Sequence, residues 1–240
     1  MLERRMRVRI LPFGMLKDSL GAAERPVELP EGATVGDLLA ELQAQHAPLT
    51  LRGIAVSVNA EYATAAQALR EGDEVGLLPP VSGGLGAAAE GVTRLTRDVV
   101  DAGALVAAAK AGEDGAVVVF DGIVRDNTRG RRTLYLDYEA YEEMAAKQMA
   151  QLAEEARTRF GVRHVTMVHR LGRLDVGETS VLIVVASAHR GHAYEASRWL
   201  IDTLKKTVPI WKKETFADGA VWADGEPFPA GLGVEAGDAQ

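Results

Sequence analysis

A Pro-Pro pair followed closely by a Gly-Gly pair interrupts this chain about a third of the way along, in Leu77-Leu78-Pro79-Pro80-Val81-Ser82-Gly83-Gly84. Proline supplies no backbone donor and restricts φ, and paired glycines have no side chains to pack. Neither a helix nor a central strand runs through such a stretch, so the chain is expected to fold as two units. Behind it, Leu85-Gly86-Ala87-Ala88-Ala89-Glu90-Gly91 is small and featureless. Two readings fit. One is a Pro/Gly linker between domains. The other is a slim tail, shaped to thread a narrow channel, at what would be the C-terminus of the first unit.

At 240 residues there is room for one large or two small domains, and 47% hydrophobic with 25% charged residues is the balance of an ordinary soluble protein. No apolar run approaches the ~20 residues of a membrane span. Met1 to Arg9 is charged, and Ile10-Leu11-Pro12-Phe13-Gly14 is too short for a signal-peptide core. The expectation is a cytoplasmic protein with no membrane partner. The net charge of −7 argues against non-specific nucleic-acid binding, and neither half is basic overall, so any anion site must be a local cluster. The chain has no cysteine, which removes disulfides, thiolate metal sites and a thiol nucleophile.

Patterning in the first half is strand (Val8–Leu11), strand (Pro26–Pro30), helix, strand (Ile54–Asn59), turn (Asn59–Glu61) and strand (up to Leu78). Thr34 and Asp37 have the spacing of a capping box, and Leu38, Leu39 and Leu42 mark one helical face. The order is α+β, with a helix packed on a small mixed sheet. In the second half a helical stretch, Ala102–Ala111, precedes the β-branched run Gly115–Gly122, read as a well-buried strand. Thr133–Tyr138 alternates as a strand, and Glu142–Phe160 has the period of a long helix. Val165–Gly172 and Ser180–Ser187 read as strands, and Ala193–Thr207 as a helix stopped by Pro209. The Gly/Ala/Pro-rich end, from about residue 226, is expected to be flexible.

Three stretches carry chemistry. Ala188-His189-Arg190-Gly191-His192 stands where a strand meets a helix. There the helix dipole and free N–H groups favour an oxyanion such as phosphate; an ordinary polar cap has the same composition. Leu204-Lys205-Lys206-Thr207-Val208-Pro209-Ile210-Trp211-Lys212-Lys213-Glu214 sets four lysines around a proline and a tryptophan. Lysines suit a helix C-terminus in any case, yet an aromatic flank can desolvate an ammonium and ready it for nucleophilic or base work. Arg125 and Arg129 follow the first strand of this half, as phosphate clamps or as plain surface arginines. His189 and Lys205 lie at opposite ends of one helix, roughly 20–24 Å apart. They can share one small substrate only if a second copy of the chain contributes one of them.

With these stretches in view, the C-terminal region resembles the large, catalytic subunit of molybdopterin synthase. The matching residues are Asp114-Gly115-Ala116-Val117-Val118, Gly122-Ile123-Val124-Arg125, Ser187-Ala188-His189-Arg190 and Leu204 to Glu214. The N-terminal region resembles the small subunit, a ubiquitin-like β-grasp sulfur carrier ending in Gly-Gly. The resemblance implies an α+β chain: a β-grasp carrier domain over 1–84, a linker over 85–92 and an α/β hammerhead-type catalytic domain over 93–240. It implies a sulfurtransferase that moves sulfur from a glycine thiocarboxylate to cyclic pyranopterin monophosphate, building the dithiolene of molybdopterin. Sulfur then rides on a backbone carboxyl, Gly84, with Gly83 in the tail, and no cysteine is required.

By the same resemblance Lys205 and Lys212 are catalytic. Arg125, His189, Arg190, Lys213 and Glu214 bind substrate, with His189 and Arg190 coming from a neighbouring protomer. No cofactor and no metal is implied. The implied partners are the substrate, an adenylating and sulfurating enzyme for the tail, and a second copy of the catalytic domain, as a homodimer or a heterotetramer-like assembly after cleavage. Two departures stand out. Gly84 is followed by Leu85, whereas a thiocarboxylate needs a free carboxyl group. Some relatives carry a basic residue after the last tryptophan, where this chain has Ala223-Asp224-Gly225-Glu226. A non-catalytic carrier or regulatory fusion with an unprocessed tail is the alternative reading.

Overall fold

Alternation organises the first unit. In β1 (Arg5–Pro12) Met6, Val8 and Ile10 point into the core and the arginines between them point out. A one-turn helix, α1 (Leu16–Leu20), follows, then β2 (Arg25–Pro30), α2 (Val35–Gln45), β3 (Ala55–Val58), β4 (Glu61–Ala63) and β5 (Glu74–Leu78). The computed structural model describes residues 4–21, 24–45, 51, 53–79 and 91–223. Gly83, Gly84 and the expected flexible end lie outside the described residues. Described residues up to 79 and from 91 onward belong to two separate compact units.

The first sheet has the order β2-β1-β5-β3-β4, with β1 and β5 parallel and the other pairs antiparallel. Helix α2 starts where the sequence places it. Thr34 N–H and Oγ1 both donate to Asp37 Oδ2 at 2.8 Å, and Asp37 N–H donates back to Thr34 Oγ1 at 3.3 Å. Val35, Leu38, Leu39 and Leu42 then bury one helical face in the core with Val8, Ile10, Val56, Val75 and Leu77. Each such side chain contributes about 1.5–3 kcal/mol on burial. Between β3 and β4, Asn59 and Ala60 both have positive φ (51° and 61°), the signature of a type I′ hairpin turn. Asn59 is held there, because its side-chain amide donates to Asp73 and its carbonyl accepts from Glu74 N–H.

The second unit runs β6 (Thr93–Thr96), α3 (Ala102–Ala109), β7 (Ala116–Ile123), β8 (Asn127–Thr128), β9 (Arg131–Ala140), α4 (Glu142–Phe160), β10 (His164–Arg170), β11 (Gly172–Asp175), β12 (Thr179–Ser187), α5 (Arg190–Thr207), β13 (Ile210–Phe216) and β14 (Gly219–Trp222). Its strands form two sheets. One has the order β6-β10-β12-β7; the other is β11-β9-β13-β14, with β8 paired to β9. Helices cover both faces of the first sheet. Val181, Ile183 and Val185 of β12 join the core of α4 and α5, while Leu182 and Val184 join that of α3. This double cover is why Ser180–Ser187 reads as an unbroken apolar run.

Several expectations need correction. The run Gly115–Gly122 is a strand, but an edge strand with only β12 beside it. Val119 is 42% exposed and Ile123 56%. Its β-branched composition reports strand propensity, whereas burial depends on having neighbours on both sides. Val165–Gly172 is broken at Leu171, where Gly172 at φ 79° turns the chain into β11. The last helix begins at Arg190, three residues before the apolar period becomes visible at Ala193. Ile210–Phe216, given no element by the patterning, is a strand between β9 and β14, so Lys212 and Lys213 are strand residues rather than part of a basic helix end.

Candidate functional site

Helix α5 separates the predicted site residues into two groups. It spans 18 residues, roughly 27 Å at 1.5 Å per residue. His189 caps its N-terminus with extended backbone (φ −126°, ψ 129°), Arg190 is its first residue, and Lys205 lies in its last turn.

At the N-terminal end, Gly115, Ala188, His189, Arg190, Gly191 and Tyr194 line an open pocket of ≈ 420 Å³. The imidazoles of His189 and His192 meet edge to face, with centroids 5.9 Å apart. Both are exposed, as is Arg190. The helix dipole and its first N–H groups add positive potential, so the pocket suits an anion. Its rim is built by a close approach. Gly115 N–H donates to Ser187 O at 3.1 Å, and a Cβ at Gly115 would lie 2.3 Å from Ala188 O. Asp114, beside it, is clamped by Arg163, whose Nε donates to Asp114 Oδ1 at 2.8 Å. Asp114 also accepts from Ala111 N–H at 2.8 Å. The Arg163 hydrogen bonds, outweighing burial, hold the Asp114 carboxyl below the usual carboxylate range. Sequence reasoning missed Gly115 and Tyr194 as pocket residues. Tyr194 stands four residues after Arg190, so the helical period puts both on one face.

The other group lies where α5 ends. Lys205 is exposed, and no ion pair among the described residues holds it. Buried Val208, Pro209 and Ile210 lead into β13. There Lys212 Nζ stands 2.8 Å from Glu214 Oε1, and the Glu214 side chain is 4% exposed. Glu214, expected to meet substrate, thus spends its carboxylate on Lys212. Lys213 points to the opposite face, its ammonium 5.5 Å from the Trp222 ring centroid. The aromatic flank expected around the lysines therefore serves Lys213, through Trp222 across the hairpin. Trp211 is buried.

Behind Lys212 lies Tyr138, its cross-strand partner on β9. The Tyr138 ring meets His169 edge to face at 5.1 Å and packs with Val124, Leu136 and Leu174. Burial raises the Tyr138 phenol above its ordinary range, opposed by a Ser180 hydrogen bond and the Lys212 charge. His169 is buried and its pKa is pushed down from 6.5 to about 4, because the interior disfavours the imidazolium.

Arg125 belongs with the lysines. Strands β7 and β12 are antiparallel, with Ser187 opposite Ala116 and Thr179 opposite Ile123. Arg125 therefore leaves the end of the sheet opposite His189, and its neighbour Val124 packs with Tyr138. The fold thus groups Arg125, Lys205, Lys212 and Glu214, and sets His189 and Arg190 apart from them in the same chain.

Comparison with known proteins agrees with both halves. Residues 95–207 match the family model described as MoaE protein, and residues 10–84 match the ThiS family. The strand carrying Lys212, Lys213 and Glu214 lies just beyond the first match. The molybdopterin synthase catalytic subunit of Halalkalibacterium halodurans is 48% identical over 108 residues, 45% of this chain and 69% of that protein. The same subunit of Pyrococcus abyssi is 42% identical over 121 residues, 50% of this chain and 82% of that protein. The crystal structure of molybdopterin synthase from Staphylococcus aureus superposes with a TM-score of 0.53 at 39% identity, covering 55% of this chain and 96% of that one. The chain belongs to the MoaE family of molybdopterin synthase catalytic subunits, with a ubiquitin-like ThiS-family β-grasp segment joined ahead of it in one polypeptide.

Proposed function

We propose that this chain is a molybdopterin synthase that carries its own sulfur donor. It transfers sulfur from a thiocarboxylate on Gly84 to cyclic pyranopterin monophosphate, forming the dithiolene in two transfers. The observation that carries this reading is the juxtaposition of two family matches in one chain, the first ending at Gly84 itself. In each transfer a carbon–sulfur bond forms on the substrate, a carbon–oxygen bond at that same carbon breaks with its oxygen leaving protonated, and the bond from sulfur to the Gly84 carbonyl carbon breaks. Water supplies the oxygen that restores the carboxylate.

The site residues divide this work. His189 and Arg190 of one copy, with Arg125 of another, hold the phosphate by charge-assisted hydrogen bonds. Two copies are needed because α5 keeps His189 a helix length away from Lys205. Lys205, exposed and free of ion pairs among the described residues, handles proton transfer or covalent attachment. Lys212, anchored on Glu214, stabilises developing negative charge, and Lys213 adds charge to the same hairpin. The domain limits follow: carrier to Gly84, connector over 85–92, catalytic domain from 93.

A thiocarboxylate needs a free carboxyl group, so the reading requires cleavage after Gly84 before a partner enzyme adenylates and sulfurates the tail. Intact mass spectrometry of the protein from its native host tests this. Two fragments parted after Gly84, the smaller about 16 Da heavier where sulfur replaces oxygen, are expected. A single uncut mass from active protein would sink this account. Uncut and inactive protein would favour the regulatory fusion.

A further inference from the structure

We propose that Glu178 is a positioning residue for Arg125: by holding the turn between β11 and β12, it fixes the backbone from which the Arg125 guanidinium reaches outward. This rests on the reading that Arg125 clamps the phosphate of the substrate.

Backbone pairing supplies the first argument. Around Arg125, every second residue is tied to another strand or turn. Gly122 O accepts from the Ser180 hydroxyl at 2.7 Å. Val124 is tied twice: its N–H donates to Glu178 O at 3.0 Å, and its carbonyl accepts from Gly177 N–H at 2.9 Å. Asp126 O accepts from Thr133 N–H at 2.9 Å. Successive side chains of an extended segment point to opposite sides. Val124 is buried with Leu136 and Leu174, while Ile123 and Arg125 on either side of it are exposed. The segment is therefore pinned from within and turns Arg125 outward.

The strand partner is shaped for this. The β7–β12 register shifts between Thr179 and Val181, which leaves Ser180 as an extra residue in β12. A bulge of this kind re-aims side chains at the end of a strand. Gly122 accommodates it, since a Cβ there would lie 2.6 Å from Val181 Cγ1.

The Glu178 carboxylate supplies the second argument. Both of its oxygens are engaged. Oε1 accepts from Arg170 Nη1 at 2.8 Å, and Oε2 accepts from Asp175 N–H at 2.7 Å. Glu178 N–H donates to Asp175 O at 3.1 Å, closing the turn. Arg170 ends β10 with its side chain only 10% exposed, so the carboxylate is moored to a cation that is itself held in the interior. One residue thus joins a buried arginine, through its side chain, to Val124 N–H, through its carbonyl. Val124 immediately precedes Arg125.

A double-mutant cycle on the full chain, expressed in and purified from its native host, tests the assignment. The variants are Glu178→Ala, Arg125→Ala and the pair, assayed for conversion of cyclic pyranopterin monophosphate to dithiolene, with thermal unfolding alongside. Glu178→Ala is expected to raise KM about tenfold while kcat stays within about twofold, the scale of one charge-assisted hydrogen bond lost from substrate binding. Glu178→Gln keeps the length of the side chain and one acceptor oxygen, so its KM is expected to lie between the two. The glutamine variant carries the test if the alanine variant does not fold. In the Arg125→Ala background either change is expected to have no further effect. If Arg125→Ala raises KM but the folded Glu178 variants leave it at the wild-type value, the assignment is overturned. A rise in KM that persists fully without Arg125 also overturns it, because Glu178 then acts through another part of the site. If Arg125→Ala itself leaves KM unchanged, the proposed role of Arg125 fails and the positioning role falls with it.

Discussion

Lys212 Nζ and Glu214 Oε1 stand 2.8 Å apart, with the carboxylate side chain 4% exposed and the ammonium side chain 33% exposed. The pair is therefore polarised in space. Its negative member is sunk beneath the sheet face and its positive member reaches outward. A buried carboxylate left without its cation is costly, so each residue constrains the other. Glu214→Gln keeps the shape and removes the charge. We expect kcat to fall about tenfold and the unfolding midpoint to drop, since a charge-assisted hydrogen bond contributes about 1.5–3 kcal/mol. Steady-state kinetics and calorimetry on the same sample check both.

Lys205 separates catalysis from stability. It is exposed at the end of α5 and free of ion pairs among the described residues. Lys205→Ala is expected to lower kcat by roughly 10²–10⁴, the range for loss of a proton-transfer group. Stability should stay within about 0.5 kcal/mol, as for surface changes generally. A variant that unfolds at the wild-type temperature and still turns over normally removes Lys205 from the mechanism.

Gly115 sets the anion pocket by having no side chain. A Cβ there would lie 2.3 Å from Ala188 O, a backbone atom that cannot swing aside. Gly115→Ala must therefore push β7 away from the start of α5. The expected result is a raised KM with a smaller change in kcat, and about 1–3 kcal/mol lost from overpacking. Unchanged phosphate affinity, measured by calorimetric titration with the substrate, would show that the pocket lies elsewhere.

His169 makes stability depend on pH in a defined window. Its folded pKa of about 4 lies below the ordinary 6.5, so the unfolded chain binds the proton more readily. Stability from this group is fully present above pH 6.5 and is lost as pH falls towards 4, by on the order of 3 kcal/mol. In His169→Phe, which preserves the aromatic contact with Tyr138, denaturant unfolding of the second unit should be flatter across that window.

Asp114 acts at lower pH. Its carboxyl is held down by the Arg163 hydrogen bonds, so it stabilises the fold above its ordinary range and that support is lost as pH falls through the folded pKa. Asp114→Asn should start less stable and lose less on acidification below pH ~4. An acid limb identical to wild type would count against the clamp.

Much of the fold was legible because local rules and tertiary structure agree. Thr34 and Asp37 form the reciprocal cap that their spacing promises, and Glu142–Phe160 is helical over its whole expected length. Elements of two to five residues, β8, β4 and α1, were missed because so short a stretch shows no period. The β13 strand was hidden for another reason: its charges sit where an alternating pattern would place apolar residues.

By itself, the sequence determined that the chain folds as two units, the placing of the long helices, the lack of a thiol side chain and the separation of His189 from Lys205 along one helix. These follow from backbone permissions, side-chain period and helix rise, which act within a few turns of chain. Only the tertiary structure decided that Lys212 pairs with Glu214. Residues two apart share a face in a strand but diverge on a helix, and β13 is a strand because β9 and β14 flank it. It also decided that β7 is an edge and that Arg125 joins the lysines, because neighbours and strand direction are properties of the assembled sheet.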